Sequence, residues 1–349
     1  MGKVLIKRAV DIDSKRWDDY VNKHPDASPY HLFAWNKAVE KTYKYKYYSL
    51  IAEYKSAVVG VLPLIHMNLP FVFNKMVALP YCDVGNCLGN TPEIVELMLD
   101  KAVMVAKALR ANLLELRGDV APLSTTKLNK VDNNKVRMFL DLPTSSDILL
   151  KSFKSKLRSQ IKKAEKNKLV FRWGHFSDLD TFYKVFAENM RDLGSPVHSK
   201  KWFKMILKFY KGNLRMGLVE HSGQLIACGI ILTASDKVIV PWASTLKKYN
   251  RLSPNMLLYW NFLKYASDNG YKQFDFGRST QGEGTYGFKA QWGAQPVPLN
   301  WYEININGRK GVKSPVNTLK RDMVATLWCK LPLNFANFFG PLIRKYISL

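Results

Sequence analysis

Acidic residues are scarce in this chain: 28 aspartates and glutamates stand against 53 lysines and arginines, a formal net charge of +25 over 349 residues. That imbalance exceeds what solubility requires and implies an anionic partner. Nucleic acid, an acidic membrane surface and phosphate-bearing small molecules such as nucleotide sugars, coenzyme A or lipid diphosphates all fit. No helix-turn-helix, zinc module or RNA-binding aromatic signature accompanies the charge, which weakens the nucleic-acid class. Cysteine is also rare. Cys82, Cys87, Cys228 and Cys329 form no CxxC pair and cannot scaffold a chain of this length, so a reducing cytosol is expected. The histidines show neither HExxH nor close pairing with cysteine, and no metal is expected. Long apolar runs are missing as well. The longest uncharged stretch, SAVVGVLPLIHMNLPFVFN between Lys55 and Lys75, is interrupted by Pro63 and Pro70, which suits strands of a sheet rather than a spanning helix. The opening MGKVLIKRAVDIDSKRW has Lys7, Arg8, Asp11 and Asp13 where a signal peptide keeps its apolar core, so export by that route is not expected.

What is present reads as an ordinary globular composition, 47% hydrophobic and 13% aromatic, in a chain long enough for two domains. Tyr47 to Leu64 reads as a hairpin, Thr91-Pro92-Glu93 opens an amphipathic helix, and LLELRGD and VRMFLDL follow as strands. The second half repeats that grammar: a helix with Phe153, Leu157, Ile161 and Ala164 on its apolar side, helices after Asp178 and Lys200, strands LRMGLVE, QLIACGIILTA and KVIVPWAST, and a helix ending at Gly270. The expected fold is therefore α/β (α+β): two tandem α/β lobes joined near Pro143 to Ser152, assigned to residues 1–147 and 148–310, followed by an aromatic-basic tail at 311–349.

The most informative stretch is YKQFDFGRSTQGEGTYGFKAQW, Tyr271 to Trp292. Phe274 and Phe276 alternate with Asp275 as in a buried strand, and Gly277, Gly282, Gly284 and Gly287 read as a glycine-rich turn. Arg278, Tyr286 and Lys289 place charge and hydrogen-bonding groups beside it. A strand that runs into such a turn usually faces a ligand.

Five ordered blocks, MRDLGSPVHSK, VPWAST, NRLSPNMLLYW, FDFGRST and GTYGFKAQWGAQPVPLNWY, resemble the FemAB-like branch of the GNAT acyltransferase superfamily. More narrowly, they resemble its members associated with exosortase/PEP-CTERM and exopolysaccharide gene sets. The resemblance is dense from about Lys151 to Tyr302 and looser before it. It implies two GNAT-like lobes, each a mixed mostly antiparallel sheet flanked by helices, with the site in the cleft between them. The implied activity is transfer of an acyl or aminoacyl group to an amine on a cell-envelope precursor, an exopolysaccharide amino sugar or a peptidoglycan-type peptide. Phe288-Lys289 stands where bridge-forming relatives carry a Phe-Lys pair, so Lys289 is expected to stabilise the oxyanion or orient the donor.

No permanently bound cofactor is expected, and aminoacyl-tRNA, acyl carrier protein and acyl-CoA remain open as donors. Arg251-Leu252-Ser253-Pro254-Asn255-Met256 lacks the glycines of a standard coenzyme A pyrophosphate loop, which counts against acyl-CoA. The charged coiled-coil arm of several bridge-forming transferases is also missing. The expected acceptor is an anionic envelope precursor or a nucleotide- or lipid-linked sugar.

Individual residues carry two readings each. Arg278 clamps a phosphate or carboxylate, or pairs with Asp275. Asp275 orients or deprotonates the amine, or is structural. His198, in the PVHSK block, is the histidine candidate for general base, or a structural histidine. Asn255 caps its helix or meets a ligand there. Trp242 and Trp292 wall the acceptor or belong to the core. Arg158 and the basic face from Lys151 to Arg172 hold an anionic donor or lipid phosphate, or form a solvated face. The tail TLWCKLPLNFANFFGPLIRKYISL is an interfacial membrane anchor or a helix docked on its own protein. The rival to an enzyme at the inner membrane face is a non-catalytic protein that docks polysaccharide-synthesis machinery to an acidic membrane.

Overall fold

The computed structural model describes residues 4–118, 128–306 and 318–348. By contact density the chain forms two units, one of residues 1–135, 298–313 and 346–349, the other of residues 136–297 and 314–345.

In the first unit the strands are β1 (Leu5–Arg8), β2 (Lys46–Tyr47), β3 (Leu50–Tyr54), β4 (Ala57–Leu62), β5 (Ile65–Leu69), β6 (Phe73–Val77), β7 (Leu88–Gly89), β8 (Leu113–Arg117) and β9 (Asn129–Val131). The helices are α1 (Ser14–Val21), α2 (Phe33–Tyr43) and α3 (Pro92–Ala108). The expected hairpin is β3 and β4, paired antiparallel across Lys55 and Ser56, both at positive φ as a tight hairpin turn requires. The uncharged stretch after Lys55 supplies three strands. β4 ends before Pro63, and β5 and β6 form a second hairpin around Pro70 in the other sheet. α3 begins as its sequence foretold, with Pro92 in the first turn and the Thr91 hydroxyl accepting from the Ile94 amide. Its Met98, Leu99, Ala102 and Ala106 pack on Leu50, Leu62, Met76, Leu114 and Leu116.

The second unit contains β10 (Lys135–Asp141), β11 (Leu169–Gly174), β12 (Leu214–His221), β13 (Gln224–Ala234), β14 (Lys237–Thr245), β15 (Gln273–Thr280) and β16 (Gln295–Pro298) in the order β11-β12-β13-β14-β15-β10-β16. Its helices are α4 (Ser146–Ser152), α5 (Ser155–Lys166), α6 (Leu179–Asp192), α7 (Lys200–Tyr210), α8 (Pro254–Asp268), α9 (Gly284–Ala290), α10 (Thr318–Cys329) and α11 (Leu333–Arg344). β10, the VRMFLDL segment placed before the expected junction, is an interior strand here. β17 (Trp301–Asn305), placed after it, pairs with β8 and β9 of the first unit. Alternation along β13 clothes both faces of the sheet: Ala227 joins the core under α8, while the neighbouring Cys228 thiol meets the Phe182 carbonyl of α6.

α8 is seated by a missing side chain. Gly217 and Gly229 are partners across β12 and β13, and a Cβ on either would strike the Phe262 ring, at 2.3 Å and 3.0 Å. The glycine pair forms the slot that receives the ring.

In the first unit, the mostly buried Glu115 takes Lys75 on one oxygen (3.0 Å) and Arg117 on the other (2.9 Å from Nε). Arg117 also reaches the carbonyls of Leu79, Cys82 and Ser348. Burial alone would raise the Glu115 pKa, but the two cations outweigh it and hold the carboxyl at about 2, against an ordinary 4.5. The unfolded chain therefore binds this proton more tightly. The group's stabilisation is complete above pH 4.5 and fades as pH falls towards 2. Glu115→Gln, which strands two cations, is expected to cost about 3–5 kcal/mol at neutral pH in urea unfolding. The gap from wild type should close on acidification; a gap that stays constant down to pH 2 contradicts this assignment.

Candidate active site

β14 and β15 run parallel and share pairing over Lys237–Ile239 and Gln273–Asp275. β14 continues to Thr245 and β15 to Thr280, and beyond that register no pairing joins the C-terminal ends of the two strands, the candidate mouth of a site. A bend in β15 is built into the sequence. Gly277 sits at φ 73°, a conformation that a side chain would strain, and its amide is received by Asp275 Oδ1 at 2.8 Å. The other Asp275 oxygen is held by Arg137 of β10, with Nε at 2.9 Å and an additional shorter contact from the guanidinium terminus. The ion pair considered with Arg278 is made with Arg137 instead. Asp275 thus fixes the strand's bend.

Lys289 is bound to the backbone just beyond the bend. Its Nζ donates to the oxygens of Gly277 (3.0 Å) and Arg278 (2.7 Å), and the side chain is 7% exposed. Lys289 is carried by α9, where the sequence reading expected a glycine-rich turn. Gly277 and Gly282 do have positive φ, but Gly284 and Gly287 are helical, with open space where a Cβ would stand. Phe288 orients α9 by packing its ring edge-on to Tyr259 (5.0 Å) and towards Trp292 (6.3 Å). Tyr259 also stacks on Phe276 at 5.6 Å, and burial pushes its phenol well above the ordinary range.

The remaining predicted residues are distributed around this mouth and away from it. Arg278 is half-buried on β15 and Tyr286 half-buried on α9 against the core. Asn255 does not cap α8. Ser253, at φ 62°, is the capping position without a side-chain bond, while Asn255, in the first turn, pairs with the Thr245 hydroxyl at the end of β14. Ser253 thus supplies the left-handed turn for which a standard loop uses glycine, and Lys247, Lys248 and Arg251 lie exposed just before it. Trp242 packs against Phe203 (5.2 Å) and Trp202 (6.2 Å) of α7. Arg158 donates to the carbonyls of Phe153 (2.6 Å) and Lys151 (3.2 Å), fastening α5 to α4. His198 is buried, stacked on Trp202, and its Nε2 accepts from Arg344 Nε at 3.1 Å. Burial and the Arg344 charge both push its pKa well below 6.5.

A groove of about 800 Å³ opens immediately after Lys289 in the chain, lined by Leu142, Phe153, Gln291 and Trp292, with Lys154 and Lys156 at the start of α5. Trp292 is 1% exposed, and its indole nitrogen has no partner among the described residues. Two contributors escaped the sequence reading. Arg137 lies 138 residues from the carboxylate it holds, with no local signal. Ser279, whose buried hydroxyl has no partner among the described residues, was visible only as a polar residue continuing the strand pattern of FDFGRST. Among the described residues, no group of three or more His, Cys, Asp or Glu side chains is placed to hold a metal ion.

Residues 151–290 match the acetyltransferase (GNAT) domain family. Among solved structures, FemX superposes with a TM-score of 0.69 at 15% identity, over 86% of this chain and 96% of that one. The C-terminal domain of a putative lysylphosphatidylglycerol synthetase from Agrobacterium fabrum gives 0.56 at 12% identity, over 84% and 91%. A tandem GNAT protein from the clavulanic acid biosynthesis pathway gives 0.54 at 12%, over 88% and 100%. Identities this low establish the fold and leave the substrate open. No curated protein matches the sequence. Residues 151–290 thus carry a GNAT acetyltransferase domain, and the chain as a whole has a fold similar to those of FemX and the tandem GNAT protein.

The buried histidine yields a prediction. With its folded pKa below the unfolded one, His198 stabilises the protein above about pH 6.5 and ceases to do so as pH falls. Its ring signals in NMR are expected to stay those of neutral imidazole through that region. A His198 titration centred near 6.5 contradicts the buried, Arg344-bonded arrangement.

Proposed function

We propose that this protein transfers an acyl or aminoacyl group to an amine of an anionic cell-envelope precursor, an exopolysaccharide amino sugar or a peptidoglycan-type peptide, working at the inner face of the membrane. The observation that carries the reading is the buried Lys289 ammonium, fixed by two carbonyls beside the mouth of β14 and β15. An amine attacking an activated carbonyl makes a tetrahedral centre whose oxygen gains negative charge. A cation already locked in place stabilises that charge without reorganising. Collapse of the intermediate expels the carrier, the proton shed by the nitrogen passes to the departing carrier or to solvent, and the amide is left.

The remaining residues take positioning roles in this reading. Asp275 is committed to Arg137 and to the Gly277 amide, so it holds the bent strand that presents the two carbonyls. His198 spends its Nε2 lone pair on Arg344, which supports a structural role rather than that of general base. Phe288 sets the angle of α9. Lys154 and Lys156 at the groove, and Lys247, Lys248 and Arg251 before α8, are suited to phosphates of the acceptor and the donor carrier. The loop before α8 makes through Ser253 the left-handed turn for which a standard loop uses glycine, so all three donor classes enter the test.

Purified protein incubated with aminoacyl-tRNA, acyl carrier protein or acyl-CoA donors and amino-sugar or peptide acceptors is expected to add one acyl mass to the acceptor by mass spectrometry. Lys289→Ala and Lys289→Met should lower kcat by roughly 10²–10³. Thermal melting of both variants separates this loss from misfolding. Absence of transfer from every donor class, or full activity in a folded Lys289 variant, overturns the proposal.

A further inference from the structure

The end of the chain holds two features that rarely occur together: it is firmly docked, and it remains hydrophobic on the outside. α10 and α11 pack against α6. The contacts that seat them come from small and polar groups. A Cβ on Gly194 would strike the Ala325 carbonyl at 2.7 Å, and one on Gly340 would strike the Val197 amide at 2.9 Å. Ala336 is buried beside them, Arg191 donates to the Leu331 carbonyl at 3.2 Å, and Arg344 reaches His198. None of these contacts comes from Phe335, Phe338, Phe339 or Leu342.

These four side chains point outward. Phe335, Phe338, Phe339 and Leu342 recur at the spacing of one helical stripe and are 56%, 67%, 45% and 57% exposed. Leu327, Val324 and Met323 of α10 are exposed as well. A contiguous apolar surface of this kind marks an interaction site. Its charge selects the partner. From Met323 to Leu349 there is no aspartate or glutamate, while Lys330, Arg344 and Lys345 are present, in a chain of net charge +25. Aromatic and aliphatic groups whose neighbouring charges are mostly cationic match the boundary between headgroups and acyl chains of an anionic bilayer. No helix among the described residues is long and apolar enough to cross a membrane.

We propose that the α10–α11 pair is a rigid interfacial foot that seats the protein on anionic lipid through Phe335, Phe338, Phe339 and Leu342, with Lys330 and Lys345 meeting the headgroups. The proposal shares the membrane placement of the functional reading above but stands on the tail alone. The test is flotation of the full chain with vesicles of phosphatidylcholine, with and without phosphatidylglycerol. Binding to the anionic vesicles is expected, weakening with salt and falling at least about tenfold in Phe338→Glu/Leu342→Glu. Circular dichroism and unchanged acyl transfer to a soluble acceptor would confirm that this variant is folded, which separates loss of the foot from failure of the transferase reading. Lys330→Glu/Lys345→Glu should reduce the preference for anionic lipid. A wild-type protein that does not float, or a Phe338→Glu/Leu342→Glu variant that floats as wild type does, overturns the proposal. So does a concentration-dependent dimer, abolished by the same variant, in protein that ignores vesicles; the stripe would then be a contact between copies.

Discussion

The end of pairing between β14 and β15 beyond Ile239 and Asp275 is the constraint on which the site depends. A strand that leaves its neighbour exposes unpaired backbone groups, and buried unpaired groups are costly. Here three groups just past the register meet particular side chains. Asp275 receives the Gly277 amide, and Lys289 covers the carbonyls of Gly277 and Arg278. The same bonds that make the bend tolerable also anchor a cation beside the opening. In the proposed function, stability and chemistry would draw on one set of contacts.

That arrangement needs rigid support on both sides. Arg137 comes from β10, next to β15 in the sheet, and neutralises Asp275 where burial of a lone carboxylate would be unfavourable. On the other side Tyr259 of α8 bridges Phe276 of the bent strand and Phe288 of α9, so the helix carrying Lys289 is packed against the strand it serves. α8 in turn is fixed by the Phe262 ring in the slot formed by Gly217 and Gly229. A cation held this way loses little further freedom when charge develops on a reacting carbonyl, which is the physical basis of electrostatic preorganisation.

Much of this was legible in the sequence, and the exceptions have identifiable causes. The hairpin at β3 and β4, the capped start of α3 and the strands of the second sheet followed from alternation and turn residues, because those signals are local. α9 was read as a turn because Gly284 and Gly287 carry low helix propensity. Packing of Phe288 and Lys289 overrides that preference. The place of β10 beside β15, and of β17 beside β8 and β9, is decided by pairing between distant segments, which no local pattern records. Arg137 was missed for the same reason. Lys289 stood out through the Phe-Lys resemblance, whereas its two carbonyl partners required the bend at Gly277 to be seen. In the tail the aromatics and cations were visible, but not that glycine and alanine would do the docking and leave the aromatics outside.

The central claim is that Lys289 faces the reacting carbonyl at the mouth of β14 and β15. The most direct test is a crystal structure with a bisubstrate analogue in which a tetrahedral phosphonate replaces the reacting carbon. The account predicts a phosphonate oxygen within about 3 Å of Lys289 Nζ, a hydrogen-bonding distance, with the Gly277 and Arg278 carbonyls still in contact with the ammonium. A phosphonate bound elsewhere, with Lys289 shielded from it by protein, would contradict it.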